Sequence, residues 1–424
     1  MWNSGRAYHH LSEMKRPAPA RSLNTRRSRF LQGGIAVLIV GLASAAEPSD
    51  VWAQTFDEAN SAVVTDNCNS PDLDTSSDLG QACVNGGIGG STDANVSGGG
   101  AFSIAQVSQE EIQKRLIKEE AESGRGGSAD SLEAGLGGGY AAFLSAGAFS
   151  LKHSNNDFED GYDSTIPTVT AGIEYRADYP FVVGLAFNYF HWAGDYDDGG
   201  NFNANAYGPR VYAGFRPIDN SFVNLVLGYT RVNKSNNREA FGVGSNNGQV
   251  MARGRASGDV DSNQFLANLS TGYDFPIGNF SVGPRVGLSV VHYEVEHYSE
   301  GGSTGLQLEY DSYNQTSVQS SLGASASYAF PTSFGAIVPR LFGAWVHEYA
   351  NDAETIDARL IQGVSGIDQV KFETEDPDRN WATFGASVTA VLPGPVQPFA
   401  TFTAIAGNSH YQSFGGTGGF YVSW

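Results

Sequence analysis

Two histidines of this 424-residue chain stand among the partners that hydrolytic chemistry uses. His297 is flanked by Glu296, Ser299 and Glu300, and His347 by Glu348. A hydroxyl, an imidazole and a carboxylate in mutual reach make an activated nucleophile, but geometry rather than spacing defines that arrangement, and no nucleophile-elbow motif accompanies either histidine. Two acidic runs, Asp157-Phe158-Glu159-Asp160-Gly161-Tyr162-Asp163 and Asp195-Tyr196-Asp197-Asp198, cluster oxygen ligands of the kind that hold Ca²⁺ or Mg²⁺ or bridge through cations to lipopolysaccharide. Neither has the spacing of a calcium loop, and the plainer reading is a pair of solvated loops. Cys68 and Cys83 are the only cysteines: either two free thiols or, in an oxidising compartment, a bridge that stabilises by roughly 3 kcal/mol on chain-entropy grounds. No histidine lies near them in sequence, which argues against a metal site there. The residues alone therefore assign no catalytic group, no cofactor site and no metal ligand.

The elements that must position these residues are segments of alternating side chains. Val286, Leu288 and Val290 share one parity with Gly287 and Ser289 on the other; Val318, Leu322, Ala324, Ala326 and Tyr328 oppose Ser321, Gly323, Ser325 and Ser327; Leu341, Trp345 and Tyr349 oppose Arg340, Ala344 and Glu348. A strand turns successive side chains to opposite faces, so each segment has an apolar face and a small or polar one. Arg340 and Glu348 on the second face suit a wet barrel interior better than a close-packed core. Twelve such segments can be counted, at 138–151, 165–176, 181–192, 205–216, 221–233, 261–275, 280–293, 312–330, 335–349, 381–392, 397–406 and 415–424. The joints at 177–180, 217–220, 276–279, 331–334 and 393–396 are tight and mostly carry Pro, whereas the others are long and acidic or Gly-rich, reaching 234–260 and 350–380. Short turns to the periplasm and long loops outside place both ends of the barrel in the periplasm. The expected fold is all-β: a transmembrane antiparallel up-and-down barrel of about 12 strands.

Composition agrees. With 53 Gly, 12% aromatics and 41% hydrophobic residues, the chain has the small residues and the aromatics of a barrel with girdles, and the formal net charge of −20 excludes nucleic acid as a partner. Ahead of the strands, Arg16, Arg21, Arg26, Arg27 and Arg29 precede the apolar stretch 35–40 and the small residues Ala43-Ser44-Ala45, a secretory signal over residues 1–46. Arg26-Arg27 also admits a twin-arginine reading, which carries folded cargo and so suits a barrel poorly. Cleavage would take the net charge from −20 to about −26, since Arg6, Lys15, Arg16, Arg21, Arg26, Arg27 and Arg29 leave with Glu13. Residues 47–101, rich in Asp, Asn, Ser and Gly, read as a short flexible segment. Within 102–128, Ser108 and Glu111 form a capping box for a mostly polar helix over 102–122, which a Gly-rich linker breaks before the barrel region 129–424.

A resemblance adds to this reading. Tyr298-Ser299-Glu300-Gly301-Gly302, Leu306-Gln307-Leu308, Ser320-Ser321-Leu322-Gly323, and Pro339-Arg340-Leu341 leading into Trp345-Val346-His347-Glu348-Tyr349 resemble the β-domain of autotransporters, the type V secretion proteins of Gram-negative outer membranes. The resemblance covers about 300 residues, and it implies that the polar helix sits in the lumen; the residues themselves equally allow a solvated periplasmic helix. Gly419, Phe420, Val422 and Trp424 look like the C-terminal signal read by the outer-membrane assembly machinery, although the family usually ends in Phe. Family members carry a large passenger upstream, whereas here only residues 47–101 stand between signal and helix, and the helix holds no Asn-Asn pair for intrabarrel cleavage. The expectation is therefore a monomeric, non-enzymatic barrel in contact with outer-membrane lipid and lipopolysaccharide that translocates or displays a short segment. Alternatives are an adhesin working through its outer loops, a passive porin and, third, a barrel hydrolase.

Overall fold

The computed structural model describes residues 55–86, 88–91, 139–156, 158–177, 181–244, 250–350 and 352–424; the signal expected over 1–46 and the polar helix expected over 102–122 lie outside them. Twelve long strands follow one another: β1 (Gly139–His153), β2 (Tyr162–Arg176), β3 (Phe181–Tyr196), β4 (Gly200–Phe215), β5 (Ser221–Gly244), β6 (Val250–Tyr273), β7 (Phe280–Val295), β8 (Tyr313–Tyr328), β9 (Gly335–Glu348), β10 (Asn380–Val391), β11 (Val396–Ala406) and β12 (Tyr411–Ser423). Each pairs antiparallel with its sequence neighbour, and β1 pairs with β12 in a register running from Ala141↔Ser423 to His153↔Tyr411, so the sheet closes on itself. Closure leaves no unpaired edge, which is why backbone of this kind can cross a bilayer.

The alternation read from sequence becomes outside and inside. Along β3, Val183, Leu185, Phe187 and Tyr189 are exposed while Ala186, Asn188 and Phe190 are buried; Phe187 is 52% accessible and its neighbour Asn188 is fully covered. Apolar side chains cover the outer face of every well-patterned strand, among them Leu225, Leu269, Leu288, Leu322, Leu341, Trp345 and Phe384. In water so large an apolar surface would aggregate; a hydrocarbon surround is what it fits. Inside, polar groups satisfy one another. Glu174 accepts from Arg176 Nε at 2.9 Å and from the Tyr212 hydroxyl at 3.0 Å, and Arg176 Nη2 donates to Tyr421 across the closing seam at 3.0 Å. Arg340 donates to Ser325, and Glu348 accepts from Ser317 and from the Val318 amide, so both expected lumenal charges are held by hydrogen bonds.

Five short turns join β2–β3, β4–β5, β6–β7, β8–β9 and β10–β11 at one end. Asn220 there has φ 61° and Gly335 φ +133°, where an added Cβ would meet Val391 O at 2.1 Å; Asn tolerates the left-handed region and Gly alone fits the second site. The other end differs from the sequence reading. The stretch 234–260, expected as a loop, continues the β5–β6 hairpin, whose register runs from Ser221↔Tyr273 out to Val243↔Val250. The expected loop at 350–380 contributes Thr355–Leu360 and Gln369–Glu373 to a separate four-stranded sheet with Tyr298–Ser299 and Leu308–Tyr310. Alternation in these pieces is short and its buried side faces other loops rather than the lumen.

The described part of the segment expected to be flexible is also ordered. Residues Phe56–Asn69 form helix α1, and Asp78–Gly86 form helix α2. Thr55 caps α1 by accepting from the Glu58 amide, with Asp57 and Glu58 in the first turn where the helix dipole favours acid. Asp74 turns the connection by accepting from the Ser76 amide and hydroxyl. A Cys68–Cys83 disulfide joins the helices, with Cα atoms 5.2 Å apart. The polar composition of 47–101 concealed this because a module so small draws most of its core from elsewhere.

Candidate functional site: the outer mouth of the barrel

That elsewhere is the end of the barrel bearing the long connections. Phe56, Ala59, Val64, Leu73 and Leu79 of the helical pair share one apolar cluster with Tyr293 and Val295 of β7 and with Tyr298, Leu308, Tyr310, Ile356, Leu360, Val370 and Phe372 of the loop sheet. Phe56 is 2% exposed and meets the Phe372 ring edge-on at 4.9 Å. Polar contacts fix the docking: Asn67 Nδ2 donates to Ile367 O at 2.8 Å, the Val364 amide donates to Asn67 Oδ1, and the Leu79 amide donates to Gln362 Oε1 at 3.0 Å. Gly305, at φ +78°, has Leu79 N only 2.3 Å from where a Cβ would stand, so the module sits directly on that turn. Just beyond α2, residues Ile88–Ser91 add an antiparallel strand to the outer tip of β5, from Ile88↔Gly244 to Ser91↔Phe241.

A second cluster lies where the seam between β1 and β12 reaches the same end. His153, the last residue of β1, points inward and is fully buried; its Nε2 stands 2.9 Å from Glu375 Oε1, and its Nδ1 3.2 Å from the Asp160 carbonyl. His410 Nδ1 lies 2.6 Å from Glu375 Oε2, and Asn156 Nδ2 donates to that same oxygen. The ligand atoms of His153, Glu375 and His410 all lie within 4.8 Å of one another. Burial alone would raise the Glu375 carboxyl, but hydrogen bonds from His153 and His410 outweigh it and hold the group below its ordinary range. The same hydrogen bond holds the His410 imidazole above its ordinary value, against burial. Beside them Glu159 is 5% exposed and has an Oε2 without a hydrogen-bond partner; burial first, and then the charge of Glu375, push its carboxyl well above the usual range.

The structure brings the two acidic runs together. The Asp197 amide donates to Gly161 O at 2.8 Å and the Asp198 amide to Asp160 Oδ1 at 3.3 Å. Burial, and then the charge of Asp198, push Asp160 up to about 7. Glu159 and Asp160 are therefore not solvated loop acids, while Asp157 lies outside the described residues. The histidines singled out from sequence are not gathered into a triad. His297 Nε2 faces Glu309 at 3.1 Å and His347 Nδ1 faces Asn380 at 2.9 Å, while Glu300 is committed to a buried bidentate pair with Arg238 at 2.7 Å and to the Leu308 amide. His153 and His410 escaped the sequence reading because 222 residues separate Glu375 from His153; only the closure of first strand on last makes neighbours of them. In the closing strand, Phe420 and Trp424 face outward and exposed, Val422 shares their parity half-buried, and Gly419 sits opposite Ser145.

Comparison with known proteins gives this architecture its context. Residues 142–403, more than half of the chain, match the family described as autotransporter β-domain. Curated relatives are the esterases EstA of Pseudomonas aeruginosa and of Pseudomonas putida, each 23% identical over 232 residues. That match takes in 53% of this chain but only 33% of either relative, so the chain spans about a third of their length. Among solved structures, the translocator domain of the autotransporter NalP from Neisseria meningitidis is similar at a TM-score of 0.53 and 13% identity, covering 77% of this chain and all of that one. A closed twelve-stranded antiparallel barrel with an apolar outer face and the family match over its strands agree: the chain belongs to the autotransporter β-domain family, an outer-membrane barrel of type V secretion.

Proposed function

We propose that this barrel carries its own short N-terminal segment to the cell surface and keeps it there, docked on the outer loops. The observation that supports the reading is the seat of α1 and α2 among the long connections, with Ile88–Ser91 paired to the outer tip of β5, while β1 begins at the opposite, short-turn end. The chain between residues 91 and 139 must join those two ends. β1, of 15 residues, is on the order of 40 Å tall at a strand rise of about 3.3 Å and a tilt near 40°. The 47 residues at 92–138 reach about 70 Å even at the helical rise of 1.5 Å. A route along the outside would set the charged side chains of 102–122 against lipid, so this reading takes the segment through the lumen. The helix expected at 102–122 falls in this stretch, consistent with a lumenal position. This reading gives the barrel a display role rather than hydrolysis, since His297 and His347 are paired to Glu309 and Asn380. Outer-membrane lipid, lipopolysaccharide and the barrel assembly machinery are its proposed partners, the last through the closing strand with Gly419, Phe420, Val422 and Trp424.

The test is an epitope inserted after the exposed Pro71, in the connection between the helices, probed with antibody on intact cells. Equal staining of intact and permeabilised cells is expected; staining that appears only after permeabilisation would place the module in the periplasm and end the proposal.

A further inference from the structure

The cluster at the seam contains more hydrogen-bond acceptors than neutral imidazoles can serve. His153 presents both ring nitrogens to oxygen, Nδ1 to the Asp160 carbonyl at 3.2 Å and Nε2 to Glu375 at 2.9 Å. His410 presents Nδ1 to Glu375 at 2.6 Å and Nε2 toward Asp378 Oδ2 at 4.0 Å. A neutral imidazole has a single N–H, so the two oxygens facing His153 are one more than a neutral ring can serve, while the 4.0 Å approach of His410 Nε2 to Asp378 is too long for a hydrogen bond. A cation at His153 Nε2 would leave its Nδ1–H to donate to the Asp160 carbonyl and so serve both contacts with a neutral ring.

We propose that His153 Nε2, His410 Nδ1 and Glu375 form a binding site for a single divalent ion of the Zn²⁺ class, set across the seam at which the barrel closes. The donor set is two imidazoles and one carboxylate, which suits Zn²⁺, Co²⁺ or Ni²⁺ and not Ca²⁺ or Mg²⁺, whose sites are built from oxygen. A Zn²⁺ ion with ligands at about 2.0–2.2 Å sets ligand atoms roughly 3.3–3.5 Å apart, and the present atoms all lie within 4.8 Å of one another, so side-chain shifts on the order of 1 Å would seat the ion. An outer shell is already in place. The far nitrogen of His153 is directed at a backbone carbonyl and that of His410 at the Asp378 carboxylate, the two partners that commonly orient metal-bound histidines. Asp378 is itself held by the amide and hydroxyl of Ser409, and Asn156 steadies Glu375. The ligands come from the end of β1, the 349–379 connection and the 407–410 connection, so one ion ties three outer segments together.

The test uses the full chain without a histidine tag, folded in detergent, stripped with chelator and titrated with Co²⁺ near pH 7.5, read by visible absorption and by proton release. One Co²⁺ per chain is expected, with ligand-field bands of imidazole ligation and release of a proton on binding. His153→Gln and His410→Asn should each weaken binding by about 100-fold or more, while His297→Asn leaves it unchanged. Folding is verified by heat-shifted mobility, and His410→Asn, in a connection rather than a strand, remains decisive where His153→Gln does not fold. Binding that is absent, or that survives His410→Asn at full strength, overturns the proposal and leaves a clasp made with protons.

Discussion

At the scale of single residues, the mouth of this barrel is held by a few buried groups whose removal has definite costs. Arg238 and Glu300 face each other with 1% and 2% of their side chains accessible. Loss of one partner strands the other charge, so Glu300→Ala should destabilise the outer hairpin by about 3–5 kcal/mol, seen as faster amide exchange around Arg238 with the barrel core unchanged. Glu300 drew notice in the sequence as a neighbour of His297, yet its role is structural, because nothing in local spacing shows that an arginine 62 residues away points at it. Asp160 gives a pH effect of fixed sign. Its folded-state pKa is raised from 3.8 to about 7, so the stability it permits is fully present below about pH 4 and is lost as pH rises through 7. With chelator present, Asp160→Asn should leave loop protection at pH 4 unchanged and increase it at pH 8 by about 1 kcal/mol, the scale of one pKa unit after allowance for relaxation. Equal gains at both pH values would show that the carboxyl is not the cause. The His410–Glu375 contact runs in a different window: the raised His410 contributes below about pH 6.5, and the lowered Glu375 contributes above about pH 4.5.

At the scale of elements, the helical pair is a module too small to stand alone. Two helices with a 15-residue disulfide loop gain roughly 3 kcal/mol from the bridge and take the rest of their stability from the loop sheet. Cys68→Ser should therefore loosen the helices by about that amount, and Phe56→Ala should cost about 3–5 kcal/mol of docking. Protease sensitivity in the 70–77 connection would report both, whereas unchanged resistance in Phe56→Ala would mean that the apolar contact does not hold the module. The strands were legible because alternation over ten or more residues has a single physical explanation, and Val183 to Tyr189 show it clearly. The helices were not legible, since Phe56, Val64 and Leu79 are too sparse to mark a core that Phe372, Tyr310 and Leu360 complete from over two hundred residues away. The continuation of β5 and β6 past residue 233 was hidden for the same reason: once strands leave the bilayer, Asn, Arg and Gly serve on both faces.

At the scale of the molecule, everything depends on the seam. An added Cβ at Gly419 would stand 2.3 Å from Leu144 O, and one at Gly147 2.2 Å from Gly416 O, so side chains at either position press the first and last strands apart. Gly419→Val is expected to abolish the heat-shifted folded band in gels, while Val422→Leu, on the outward parity of the same strand, keeps it. Closing that seam also brings His153 next to Tyr411, which is why the candidate metal site was invisible to any reading that kept the ends of the chain apart. On the proposed route through the lumen, the docked helices have one more consequence. A folded, cross-linked knob at one end and a membrane-bound hoop at the other make a thread with a stopper, which cannot slide back without unfolding the knob. A specific cut in the thread, introduced at the surface with an engineered protease site, would leave knob and hoop joined by contacts alone. The fraction of knob that stays on the washed cells would then read the docking free energy as an ordinary dissociation constant.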